Sequence, residues 1–183
     1  MYAVRWGLGA LAAVVFLAGC ASGPDPVASF VTADGPQYFV RPIAFRATGD
    51  TEGSALVDVT VYETRAPSHE ATSEQAPPQP PPVRVNFTVP IEAARGLDRA
   101  ELRSGGDEYP LDGLERLFAR SDTARYGSTM PRERFDELRA DPQRVELVIA
   151  AGDNGGGASA ESRYAAAEPW VRRIEILNLM LAE

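Results

Sequence analysis

The chain has 183 residues, a net charge of −8 at neutral pH, one cysteine and one histidine, and all 18 of its basic residues are arginine. A single cysteine excludes an intramolecular disulfide, and one cysteine with one histidine excludes a zinc site of the usual ligand set. The absence of lysine excludes Ser-Lys dyads, Schiff-base chemistry and the phosphate-loop lysine. An acidic chain without a basic run is not expected to bind nucleic acid.

The first 20 residues have the three parts of a secretory signal segment. Arg5 supplies the positive charge, residues 7–17 form an apolar run, and the small residues Ala18 and Gly19 precede Cys20. A permanent helical span needs about 20 apolar residues to cross the hydrocarbon core, so this run is too short to be one. We therefore expect a signal that is cleaved off.

The sequence Leu17-Ala18-Gly19-Cys20 resembles the lipobox of bacterial lipoprotein precursors. The resemblance implies that the Cys20 thiol receives a diacylglyceryl group, that cleavage follows before Cys20, and that further acylation makes the attachment stable. In that family Ala at position 21 is associated with export to the outer membrane. We expect a protein held by Cys20 at the periplasmic face of that membrane. The alternative is an ordinary signal peptide with an incidental cysteine.

The expected organisation is a signal segment at 1–19, a lipidated tether at 20–27 and one domain at 28–183. The tether is small, polar and proline-containing, as flexible linkers are. Two segments of the domain have the composition of disordered loops. Residues 66–82 carry six prolines between two predicted strands, and residues 152–168 are rich in Gly and Ala with Tyr164 as the one anchor.

Alternation of apolar and polar residues predicts most of the domain to be β-strand. The first predicted strand is 37–47, with Phe39, Ile43 and Phe45 on one side. The second is 54–64, where Ala55, Val57, Val59 and Val61 alternate with Leu56, Asp58, Thr60 and Tyr62, and the third is 83–91, with Val83, Val85, Phe87, Val89 and Ile91 facing the core. Strands are also predicted at 99–103 and 108–111, which flank a hairpin turn at 104–107, and at 144–151. Residues 170–181 are predicted as a further strand, although their spacing also fits a helix.

Helical spacing predicts two short helices between the strands. Leu114, Leu117 and Phe118 indicate one at 112–120. Pro131 is expected to open the other, which ends near Ala140, buries Phe135 and Leu138, and is capped by Ser128 or Thr129. The resulting fold class is mainly β, an antiparallel β-sandwich or partly open barrel with one or two short helices.

Apart from carboxylates, the sequence offers no group suited to catalysis, and we expect a protein that is not an enzyme and carries no cofactor or metal. His69 lies in the proline-rich segment, where no ordered neighbour is expected to position it. Asp50-Thr51 and Asp122-Thr123 lack the glycine of an Asp-Thr-Gly motif. Asp107-Glu108 and Asp136-Glu137 leave one alternative open, a carboxylate-dependent periplasmic hydrolase acting on a cell-wall component.

The stretch from Arg116 to Arg144 holds seven arginines and is basic relative to the rest of the chain. Arg132, Arg134 and Arg139 of the predicted helix are candidates for a face that docks an anionic partner, since arginine donates forked hydrogen bonds to carboxylates. The alternative is a mixed, soluble helix surface, on which Arg132 pairs with Asp136. The function favoured by the whole sequence is a non-enzymatic envelope lipoprotein, a membrane-anchored domain that binds or scaffolds an envelope protein partner.

Overall fold

A computed structural model describes residues 25–63, 79–152 and 161–182. The signal segment, Cys20, most of the proline-rich segment and residues 153–160 lie outside these ranges. Within the described residues, neither helix is long and apolar enough to cross a membrane.

The described parts of the chain form ten strands and two helices. They are β1 (Val27–Thr32), β2 (Gly35–Thr48), β3 (Ser54–Tyr62), β4 (Val83–Pro90), β5 (Leu97–Ser104), β6 (Asp107–Pro110), β7 (Asp112–Ala119), β8 (Thr123–Met130), α1 (Arg132–Ala140), β9 (Glu146–Ala151), β10 (Glu161–Ala166) and α2 (Glu168–Leu181).

All strand pairs are antiparallel, and the sheet runs in the order β6-β5-β9-β10-β2-β3-β4-β8-β7, with β1 paired to the first half of β2. The two terminal strands of this order, β6 and β7, are consecutive in the chain. The Leu111 between them donates its amide to the Ala100 carbonyl at 2.9 Å. The sheet is therefore a nearly closed barrel, and the predicted mainly β fold class is confirmed.

The core follows the predicted alternation of β3 and β4. Ala55, Val57, Val59 and Val61 are fully buried, and so are Val83, Val85, Phe87 and Val89. The Phe87 ring stacks on Tyr126 of β8 with centroids 5.5 Å apart. The hairpin at 104–107 and the strand at 144–151 are confirmed as well, the hairpin turning through Gly105 and Gly106 at positive φ.

The predicted face of β2 is wrong at Phe39. The register with β3 shifts between Val40 and Ile43, so Val40, Ile43 and Phe45 are buried while Phe39 is half-buried. Pro42 lies in this irregular stretch and has no amide to donate to a neighbouring strand. Arg173 of α2 caps the same stretch, because its guanidinium donates to the carbonyls of Arg41 and Pro42 at 2.6 and 3.0 Å.

Two predictions of element type are wrong. In place of the helix predicted at 112–120, the chain forms β7 (Asp112–Ala119), an edge strand with Gly113 at φ 62° near its start, which pairs with β8 through two irregularities. Those irregularities give its apolar residues a spacing that resembles a helix. Residues 170–181 belong to the helix α2, which has Pro169 in its first turn and buries Trp170, Ile174 and Leu177. The Trp170 ring meets Phe45 edge-on at 5.4 Å.

The helix at 131–140 is confirmed as α1, with Phe135 and Leu138 buried. The expected caps are wrong, because Ser128 and Thr129 lie in β8. The Ser128 hydroxyl instead donates to the Val85 carbonyl at 2.7 Å. The predicted disordered loop at 152–168 is wrong from Glu161 onward, where β10 begins, and residues 153–160 lie outside the described residues. The expected anchor Tyr164 is fully buried.

Candidate functional site

The structure places two of the three candidate partner arginines inside ion-pair networks. The Arg132 guanidinium, whose side chain is 10% exposed, contacts Glu63 at 2.7 Å and Asp136 at 3.0 Å, which confirms the expected pair with Asp136. Arg139 contacts the same Asp136 at 2.6 Å and donates to Asn178 of α2 at 2.8 Å. Both side chains therefore hold α1 against its neighbours.

The carboxylates that contact Arg132 decide the direction in which its pKa shifts. Burial acts to lower its pKa, but hydrogen bonds to Glu63 and Asp136 outweigh burial and raise the pKa. Arg134, by contrast, is 58% exposed and meets only Glu137 on the helix surface, at 3.0 Å. Of the three arginines, Arg134 is the one whose charge faces solvent. Cys20, the candidate lipidation site, lies outside the described residues.

A buried polar network lies on the outer face of the sheet, where alternation predicts solvent. Asp58 of β3 is fully buried, although it has the parity of the exposed residues of that strand. It accepts hydrogen bonds from Arg125 of β8 at 2.6 Å and from Asn86 of β4 at 2.8 Å. Arg125 also donates to Thr88 at 3.3 Å, and Arg84 donates to Asn86 at 3.2 Å. The network joins three adjacent strands.

Exposed apolar side chains border this network. The register aligns Leu56, Thr88, Arg125 and Phe118 in one row across β3, β4, β8 and β7. Leu56 and Phe118 end the row and are both exposed. Successive strands lie about 4.8 Å apart, so these two side chains stand roughly 14 Å from each other.

β7 contributes two neighbouring apolar residues to this surface. It has one extra residue opposite β8 between Arg116 and Phe118, so Leu117 and Phe118 both lie near Arg125. A Cβ at Gly127 would lie 3.3 Å from Leu117 and 3.2 Å from Arg84, so the glycine allows this close approach. We call the surface formed by Leu56, Asp58, Arg84, Asn86, Thr88, Leu117, Phe118, Arg125 and Gly127 the outer patch. Apolar side chains around an arginine that is paired with a buried carboxylate, as Arg125 is with Asp58, are typical of protein-binding surfaces.

A concave region lies at the end of the barrel that carries the β2–β3 turn. It is an open depression of about 460 Å³, with Asp50, Glu52 and Glu92 among its lining residues and Tyr164 beside them. Burial raises the pKa of the Tyr164 hydroxyl, and the neighbouring Ser162 acts against the rise. No described residue forms a hydrogen bond of ordinary geometry with that hydroxyl.

The carboxylate pairs considered for hydrolysis lie on two elements that contact each other, the β5–β6 hairpin and α1. Asp107 and Glu108 are exposed on the β5–β6 hairpin, and Asp136 lies between two arginines on α1. Asp50 lies in the β2–β3 turn and Asp122 in the β7–β8 turn. Within the described ranges, no three side chains of the metal-ligating types form a group able to hold an ion.

Comparison of the chain with protein-family models, with curated proteins and with solved structures finds no match.

Proposed function

We propose that this protein is a bacterial envelope lipoprotein, anchored by lipid on Cys20 at the periplasmic face of the outer membrane, whose β-barrel domain binds or scaffolds an envelope protein. The observation that carries the proposal is the sequence Leu17-Ala18-Gly19-Cys20 at the end of a short apolar run that follows Arg5. The chain's only cysteine stands at the position that lipid attachment requires.

The position of the domain supports an anchored role. Asp25 and Pro26, which come soon after Cys20, are already attached to the barrel. The Arg41 guanidinium donates to the Asp25 carbonyl at 2.7 Å, and the Arg41 amide donates to the Pro26 carbonyl at 3.1 Å. A lipid on Cys20 would hold the barrel within one short tether of the membrane, where its partners would be envelope components.

The outer patch supports a binding role. Leu56, Leu117 and Phe118 expose apolar surface on a face that is otherwise polar. The Arg120 guanidinium carbon lies over the Phe118 ring, 5.4 Å from the ring centroid. Aromatic and arginine side chains are enriched where proteins bind one another. The patch is the surface on which we expect the envelope partner to dock.

Localisation and partner binding can be tested in one crosslinking experiment. A photo-crosslinking amino acid is placed at position 118, and the matched control carries it at the exposed Leu179 of α2. We expect a protein adduct from position 118, no adduct from position 179, and loss of the adduct in the Cys20→Ala background, which is not processed. Equal adducts from both positions would contradict the outer patch. An unchanged adduct from a released, soluble Cys20→Ala protein would contradict the anchor.

A further inference from the structure

The tip of the β1–β2 hairpin exposes two neighbouring apolar side chains. Phe30 is 56% exposed and Val31 is 88% exposed. Adjacent residues of a strand point to opposite faces, so neither face of β1 is covered at this point. Val27, at the start of the same strand, is buried. The hairpin therefore packs on the core at its base and extends away from the core toward its tip, where the apolar side chains are exposed.

Backbone pairing and a side-chain hydrogen bond hold the exposed tip in a regular hairpin. Within the described residues β1 pairs with β2 alone, from Val27 opposite Val40 to Thr32 opposite Gly35, without a register shift. The Thr32 hydroxyl donates to the Gly35 carbonyl at 2.9 Å and closes the turn. β1 itself (VASFVT) carries no charged side chain, and Asp34 in the turn is acidic.

Chain length fixes how far this tip can lie from Cys20. The barrel holds the chain from Asp25 onward through the contacts of Arg41. The five residues from Cys20 to Asp25 span at most about 18 Å, at 3.3–3.6 Å per residue. Phe30 lies five residues farther along an extended chain, a similar distance from Asp25. An anchor on Cys20 thus keeps the tip within reach of the membrane surface.

We propose that the tip of the β1–β2 hairpin is a second membrane contact, in which Phe30 and Val31 enter the interfacial region of the leaflet that holds the acyl chains of Cys20. The inference rests on the proposed lipid anchor and adds an orientation to it. An acyl anchor alone leaves the barrel free to rotate on its tether, whereas a second contact fixes which side faces the lipid. Because the tip carries Asp34 and no basic residue, the contact depends on apolar burial rather than on attraction to anionic lipid.

The tryptophan content of the chain suits a direct test. Cleavage before Cys20 removes Trp6 and leaves Trp170, which is fully buried. Phe30→Trp and Val31→Trp variants of the lipidated protein are reconstituted in phosphatidylethanolamine and phosphatidylglycerol vesicles with brominated acyl chains. Phe118→Trp, on β7, four strands from β2 in the sheet order, is the matched control.

We expect the bromines to quench tryptophan emission at positions 30 and 31, with no quenching at position 118 and no change on adding salt. The unmodified protein, whose remaining tryptophan is the buried Trp170, gives the background emission, which we expect the bromines to leave unquenched. No quenching at position 30 in a chain whose mass shows the lipid would overturn the membrane contact and leave the anchor standing. A chain without lipid would overturn the proposed function itself. Emission at position 30 that changes with protein density but not with bromination would assign the tip to a second copy of the chain and overturn the proposal.

Discussion

The fully buried Asp58 carboxylate of β3 accepts a hydrogen bond from the Arg125 guanidinium of β8 at 2.6 Å, across the intervening strand β4. Asn86 of β4 donates to the other oxygen of the same carboxylate. One side chain from each of three strands is thus tied together on the outer face of the barrel. The pair links the three strands and lies at the centre of the outer patch.

Removing Arg125 is expected to destabilise the protein strongly. Arg125→Met keeps the length of the side chain but leaves Asp58 buried without its cation. We expect a loss of about 2–4 kcal/mol, at the lower side of the range for a broken buried pair because Arg125 is partly exposed. The double variant Asp58→Val with Arg125→Met should recover most of the loss. Urea unfolding measures both, and a double variant as unstable as the single one would contradict the paired arrangement.

Replacing Asn86 is expected to destabilise the protein more than an ordinary substitution on the outer face of the sheet. Asn86→Ala removes a donor to a buried carboxylate, which should cost about 1–3 kcal/mol. Phe87→Ala, on the core face of the same strand, should cost about 3–5 kcal/mol. Denaturant melts rank the two, and an Asn86→Ala variant as stable as the unmodified protein would show that water replaces the lost contact.

Two arginines of α1, Arg132 and Arg134, are expected to differ in how much they contribute to stability. Arg132→Gln breaks contacts to Glu63 and Asp136 at a site that is nearly buried, and we expect a loss of about 1–3 kcal/mol. Arg134→Gln removes an exposed helix-surface pair and should change stability by less than about 0.5 kcal/mol. Thermal melts compare these matched variants. Equal effects would mean that the Arg132 network contributes nothing beyond surface charge.

Tyr164 is expected to set part of the alkaline limit of stability. Burial raises its pKa in the folded state, so the folded protein holds the proton more tightly than the unfolded chain does. The resulting stability is present below about pH 10, the ordinary tyrosine pKa, and is lost as pH rises further. Tyr109, whose pKa burial also raises, adds to the same loss.

Tyr164→Phe should therefore be neutral or stabilising at pH 7, because no hydrogen bond of ordinary geometry is lost, and should reduce the alkaline loss. Tyr126→Phe is the control, since its hydroxyl donates to the Ala94 carbonyl at 3.3 Å. Melts at pH 7 and above pH 10 test this. A Tyr164→Phe variant destabilised more than Tyr126→Phe would contradict it.

Sequence periodicity predicts the strands that have one core face and one outer face. β3 and β4 alternate strictly because each is paired on both sides in the middle of the sheet. β7 could not be predicted this way, because an edge strand with two irregularities exposes residues on both faces. Trp170, Ile174 and Leu177 fit both strand and helix spacing, and only packing against Phe45 and its neighbours decides for the helix.

The candidate site was harder to predict than the fold. Alternation assigns Asp58 to the outer face, and the assignment is correct, but its burial depends on Arg125, 67 residues away in the chain. A charged residue in the middle of an alternating valine strand was the one signal present. The arginines of α1 were visible as a cluster, while their partners Glu63 and Asn178 come from distant segments that composition does not connect.

The mass of the intact mature protein, extracted from the envelope with detergent, tests the central claim most directly. The account predicts a chain that begins at Cys20 and carries the added mass of a diacylglyceryl group, with or without a further acyl chain. It also predicts that Cys20→Ala leaves an unprocessed chain without added mass. A mature protein with an unmodified Cys20, or one cleaved at another position and released as a soluble domain, would contradict it.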